Sequence, residues 1–93
     1  ALGQAMYPEV RFNVKDASDH QPIIGANIRI IGTSKGTITD LDGNGTLQNL
    51  NKGDIFEVTY IGYKTFTDTI GRKPSRAYMT YFIELESDTQ LID

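Results

Sequence analysis

Ile55-Phe56-Glu57-Val58-Thr59-Tyr60-Ile61 is the stretch on which the fold turns, because Phe56, Val58 and Tyr60 alternate with Glu57 and Thr59. A period of two places the two sets on opposite faces of a strand. The aromatic and β-branched content suits a pleated, half-buried surface. Gly62 interrupts the run and is expected to mark a bulge or a close backbone approach. Beyond it, Tyr63, Thr65 and Thr67 alternate with Lys64, Phe66 and Asp68. A polar loop over 71–76 contains Pro74, and Tyr78 to Leu85 then sets Tyr81, Ile83 and Leu85 against Phe82 and Glu84.

Towards the N-terminus, Asn49 to Gly53 reads as a turn after a short strand, Thr46-Leu47-Gln48. Asp40-Leu41-Asp42-Gly43-Asn44-Gly45 is the densest turn signal in the chain, preceded by a short strand at Thr37-Ile38-Thr39. Gly32 to Gly36 closes a strand in which Ala26, Ile28 and Ile30 face away from Asn27 and Arg29. Turn chemistry fills Asp16 to Pro22, and before it Val10, Phe12 and Val14 alternate with Arg11, Asn13 and Lys15. Gly25 and Gly36 are expected to allow backbone conformations that a Cβ would strain, and Gly43 to take a positive φ in its turn. The organisation expected is a loose tail over 1–8, one β-domain over 9–86 and an exit segment over 87–93.

Apolar residues nowhere recur at three-and-four spacing over a helix's length, so the fold class is all-β. Seven short strands with frequent turns describe a sandwich, since a closed barrel would have more even strands. The 93 residues fit one core, and net charge −3 argues against a phosphate backbone as partner. Of the basic residues only Arg72, Lys73 and Arg76 cluster, and they read as a solvated loop. No apolar run reaches the ~18 residues of a membrane-spanning helix. The opening Ala1-Leu2-Gly3-Gln4-Ala5 reads either as the edge left by signal cleavage or as a cloning remnant.

Catalysis needs a nucleophile with its base, a metal, or paired carboxylates in a pocket. The chain has no cysteine and a single histidine, His20, within a turn. Its serines (Ser18, Ser34, Ser75, Ser87) also fall in turns and form no nucleophile elbow. The expectation is a non-enzymatic domain with no cofactor. Asp40, Asp42, Asn44 and Gly45 match the first half of a calcium loop, which makes the first three a weak calcium candidate. The twelfth position is Asn51 rather than a bidentate glutamate, and the simpler reading is a turn whose Asp and Asn side chains bond their own backbone. Tyr60, Tyr63, Phe66, Tyr78, Tyr81 and Phe82 lie on the late strands, and alternation forces some of them outward. Tyr63, Phe66, Tyr78 and Tyr81 are the interaction aromatics favoured.

Gln21-Pro22-Ile23-Ile24-Gly25-Ala26-Asn27-Ile28 resembles the "PLIGANV" segment of carboxypeptidase regulatory-like domains. Ile31-Gly32-Thr33, Gly36 to Asp40 and Asp42-Gly43 resemble the same family's "GT..GT.TD.DG" run. Lys52-Gly53-Asp54 with Val58 to Thr65 resembles its "GD…VSYIGYKT" run, and the likeness spans Val10 to Asp93. In particular the chain is similar to the N-terminal extension of SusC/RagA-type TonB-dependent outer-membrane transporters of Bacteroidota. Leu85-Glu86 and Gln90 to Asp93 resemble the segment leading to that family's TonB box.

The resemblance implies a seven-stranded Greek-key sandwich of the transthyretin/prealbumin type, exported to the periplasmic side of the outer membrane. It implies a spacer or docking module in glycan or other nutrient uptake. Its partners would be the rest of its own transporter chain and a periplasmic or outer-membrane protein, with no nucleic acid and no membrane insertion of the domain itself. The alternative is an exported cell-surface or adhesin-type module binding glycan or protein. Asn13 departs from the family's usual glycine, and Gly45 from an aromatic, whose absence removes an anchor worth about 1–3 kcal/mol unless a neighbour fills the space.

Overall fold

Residues 6–71 and 78–88 are described by the computed structural model, Tyr78 by its backbone alone. Among them the chain forms β1 (Met6–Asp16), β2 (Asn27–Ile30), β3 (Gly36–Ile38), β4 (Asn44–Asn51), β5 (Ile55–Thr59), β6 (Phe66–Thr69) and β7 (Tyr78–Leu85). One sheet has the order β4-β1-β7 and the other β3-β2-β5-β6. β1 pairs antiparallel with β4 and parallel with β7, while every pair in the second sheet is antiparallel. This is the all-β sandwich that the alternation requires.

The two sheets bury their apolar faces against each other. Val10, Phe12, Val14, Leu47, Ile83 and Leu85 come from one layer, and Ile28, Ile30, Phe56 and Val58 from the other. An aromatic cluster bridges the layers. Phe56 meets Phe12 edge-on with ring centroids 5.0 Å apart, and Tyr81 lies 5.0 Å from Phe56 and 5.9 Å from Phe12. Edge-to-face and offset rings add to the area they bury.

β1 begins at Met6, so Met6, Tyr7 and Pro8, expected to belong to a loose tail, are part of a strand. Tyr7 and Val10 are both buried, three residues apart, which breaks a strict period of two. The partner strand slips at the same level, because Leu47 and Leu50 are both buried. Tyr7 pairs with Leu50 and Glu9 with Gln48, leaving Pro8 and Asn49 as the unpaired residues between them. Pro8 has no N–H to give, and Asn49 has φ 59°, a left-handed conformation asparagine tolerates. Both strands therefore change phase together. For the same reason β4 runs from Asn44 to Asn51, past the expected turn at Asn49. β5 stops at Thr59, two residues before its alternation ends, and a turn closed by Tyr63 N–H to Tyr60 O (3.1 Å) follows.

The glycines divide by what surrounds them. Gly25 and Gly43 take positive φ, as expected, whereas Gly36 does not, and its constraint is a close approach: a Cβ there would sit 3.0 Å from Ile28 O. Gly62 has φ 87° and open space, so it is a turn residue and not a bulge or a close contact. At Gly45 a Cβ would meet Thr37 Cγ2 at 3.0 Å and Ile28 Cδ1 at 3.4 Å. Neighbours already fill that space, so no anchor is missing. Thr39 is the one buried polar residue among those described; its hydroxyl accepts from Ala26 N–H (2.8 Å) and donates to Ile23 O (2.6 Å). Losing it would strand backbone groups in the interior at about 1–3 kcal/mol each.

Candidate interaction surface

Because β7 runs parallel to β1, the ends of both strands meet at one pole of the sandwich, where Asp16 pairs with Leu85. The β1–β2 connection, the β3–β4 turn and the β5–β6 turn gather there as well. Gly25 N–H bonds Thr39 O (3.0 Å), and the Tyr60 ring lies 3.7 Å from where a Gly25 Cβ would stand. The departing chain is tied down at this pole: Tyr63 bridges Ser87, Lys64 N–H bonds Glu86 O (2.8 Å) and Asp88 N–H bonds Gly62 O (2.8 Å). The beginning of the exit segment is thus part of the fold up to Asp88.

Asp16 is the hub of the pole. Its Oδ1 accepts from Ser18 Oγ (2.6 Å), Ser18 N–H (2.7 Å) and Asp19 N–H (3.2 Å), and its Oδ2 from the Tyr63 hydroxyl (2.6 Å). The bonds from Ser18 and Tyr63, then those from the loop amides, hold its carboxyl well below the usual carboxylate range. The bond to Asp16, followed by desolvation, pushes the Tyr63 phenol up to about 12. Asp16 therefore adds stability that is complete above its unfolded pKa of ~3.9 and is lost as pH falls from there towards the depressed native value. Tyr63 adds stability that is complete below ~10 and lost as pH rises through about 12. Asp16→Asn is expected to lower the thermal midpoint at pH 7 and to flatten the acid limb of a midpoint-against-pH curve. Tyr63→Phe should flatten the alkaline limb. Unchanged slopes in both variants would remove the clamp.

The aromatic candidates are dispersed. Tyr63 is half-buried in the clamp, and Phe66 and Tyr81 pack against the core. The side chain of Tyr78 and the cluster Arg72, Lys73 and Arg76 lie outside the described residues. Phe82, left out of the favoured set, is 79% exposed. The alternation had placed Tyr81 and Phe82 on opposite faces, and Tyr81 follows Ile83 and Leu85 inward. Tyr81 is thus a core-facing residue rather than an interaction aromatic.

In the β3–β4 turn, Asp40 Oδ1 accepts from both Asp42 N–H and Asn44 N–H (2.9 Å each), and Asn44 Oδ1 accepts from Asn13 Nδ2 (2.7 Å). Asp40 serves the turn, and among the described residues no three His, Cys, Asp or Glu side chains converge as a metal site would need. His20, at φ 61°, places Nε2 3.3 Å from Glu84 on the surface. Among its exposed polar loop residues the pole also presents apolar side chains: Ile24 at its first loop, Leu41 in the next turn, and Tyr60 with Ile61 in the third.

Among solved structures, the fold is similar to chains of two cohesin–X-dockerin complexes from Acetivibrio cellulolyticus. The TM-scores are 0.61 and 0.59 at 19% and 20% identity, over 82% of this chain and 52% of each of theirs. In sequence, the chain is 41% identical over 80 residues to the TonB-dependent receptor SusC of Bacteroides thetaiotaomicron. The match covers 86% of this chain and 7% of that receptor. The CarboxypepD_reg-like domain family matches residues 12–93, from the middle of β1 onward. With the alternating strands, the glycine-marked turns and the receptor likeness all in agreement, the chain belongs to the CarboxypepD_reg-like domain family.

Proposed function

We propose that this domain is a non-enzymatic module of a TonB-dependent outer-membrane transporter, standing on the periplasmic side and acting as an in-line spacer with a docking pole. The observation that carries the reading is the parallel pairing of the first and last strands. Parallel neighbours force the chain to arrive at one end of the sandwich and leave at the other, about 33 Å away over ten residue steps of β1. A hairpin-like arrangement would return it to its starting point and separate nothing. The departing chain is fastened beside Ile24, Leu41, Tyr60 and Ile61, apolar surface that water disfavours and a protein partner would cover. The likeness to the receptor SusC supports placing the domain in a transporter chain.

The test is uptake by cells carrying the full transporter, with its nutrient limiting. Deleting the domain is expected to reduce uptake. An unrelated domain of equal span should restore it if length is all that matters. The double variant Leu41→Asp, Ile61→Asp should reduce it if the pole docks a partner. Wild-type uptake from the deletion would sink both roles.

A further inference from the structure

The face of the three-stranded sheet that points away from the core carries a chemistry the transporter reading does not use. Two adjacent rows cross all three strands. Asn44, Asn13 and Phe82 form the first, and Thr46, Arg11 and Thr80 the second, because Asn13 is in register with Asn44 and Phe82, and Arg11 with Thr46 and Thr80. These six residues line an open concavity of about 360 Å³ whose floor is completed by Phe12 and Gly45. We propose that this concavity is a binding site for a neutral saccharide.

The aromatic ring is the first reason. Phe82 is 79% exposed and its row partners are the amides Asn13 and Asn44, so among the described residues its ring offers a flat, largely uncovered apolar platform. The C–H face of a pyranose stacks on such a platform while its hydroxyls stay free for polar groups beside it.

Those polar groups are held in place. Asn13 Nδ2 donates to Asn44 Oδ1 (2.7 Å) and to Asp42 O (3.3 Å), which fixes both amides. Asn13 Oδ1 and Asn44 Nδ2 have no partner among the described residues, so an acceptor and a donor stand side by side for a hydroxyl pair. The threonine hydroxyls lie one row below.

Charge decides the class of ligand. Arg11 Nε lies 2.6 Å from Glu9 Oε2, so the one cation of the two rows is neutralised from its own strand. An anionic ligand would have to compete with Glu9, and the chain's net charge of −3 adds to the obstacle. A peptide strand has no purchase on this face either: β1 is laddered on both sides, so its backbone groups are already paired.

The test follows amide and side-chain shifts of the isotope-labelled 93-residue chain on titration with hexaoses of α-1,4-glucan, β-1,4-glucan, β-1,4-xylan and β-1,4-mannan. At least one is expected to give saturable shifts at Arg11, Asn13, Asn44, Thr46, Thr80 and Phe82, with a millimolar Kd. Phe82→Ala should weaken that binding at least ~10-fold, as loss of an aromatic anchor does, without moving the thermal midpoint. Asn13→Ala should weaken it less, and Ile55→Ala, an exposed position on the other sheet, should leave it unchanged. Flat titrations with all four sugars, shifts confined to another surface, or full binding by Phe82→Ala would overturn the site. Binding of polygalacturonate at this face without any of the neutral hexaoses would overturn its ligand class. None of these outcomes bears on the uptake experiment, so the two readings fail separately.

Discussion

Phe56→Ala is expected to destabilise the domain by about 3–5 kcal/mol, the range seen when a buried aromatic is cut to a methyl. Phe56 is fully buried and is the residue through which the second sheet grips the first, meeting Phe12 and Tyr81 with centroids at 5.0 Å each, with Phe66 of its own sheet at 6.1 Å. A sandwich of two small sheets cannot collapse onto the void, because each layer is held at its spacing by the other core residues. Domains of this length have roughly 5–14 kcal/mol in total, so the loss removes a large part of the margin. At ~4–8 °C per kcal/mol the thermal midpoint should fall by about 12–40 °C. Phe82→Ala, of the same chemistry but on the surface, should stay within about 0.5 kcal/mol of the parent. Urea unfolding of the two variants checks the contrast, and equal midpoints would mean that the aromatic cluster is not the centre of the core.

Gly43→Ala is expected to cost about 3 kcal/mol or more, although it adds a single methyl. The position has φ 79°, and a Cβ would stand 2.5 Å from Val14 O and 3.2 Å from Pro22 Cβ. Both obstacles matter because three segments cross there. Gly43 O accepts from Val14 N–H (2.8 Å), and Val14 O accepts from Ile23 N–H (3.0 Å). Making room pushes a backbone carbonyl out of its own hydrogen bond, and no flexible side-chain end is available to yield instead. Gly62→Ala is the matched comparison: φ is 87°, but nothing lies within 4 Å. It should cost only the left-handed penalty of about 1–2 kcal/mol. Denaturant midpoints separate the two effects, and equal losses would show that backbone conformation alone sets the requirement at Gly43.

The surface was less legible than the core, and the reasons lie in particular residues. Tyr81 and Phe82 are adjacent, so alternation separates them, but it does not say which face is covered. That depends on the second sheet supplying Phe56 beneath Tyr81. The amide pair Asn13–Asn44 joins residues 31 apart in the chain, and neither carries a local signal of the other. The clamp between Asp16 and Tyr63 spans 47 positions. Tyr7 was hidden for a different reason: the phase change at Pro8 and Asn49 removes the regular spacing by which a strand is recognised.

The order of residues by itself determined that this chain is built of strands, where most of its turns fall, and which positions alternate between two faces. Those properties arise from steric preferences and side-chain direction over a few neighbouring residues. Only the tertiary structure decided that β1 would lie between β4 and a parallel β7, and that the chain would leave the sandwich at the pole opposite its arrival. Only it assembled the Asn44-Asn13-Phe82 row. Register between distant strands is set by how two apolar faces fit together, a property of the whole interface that no local stretch contains.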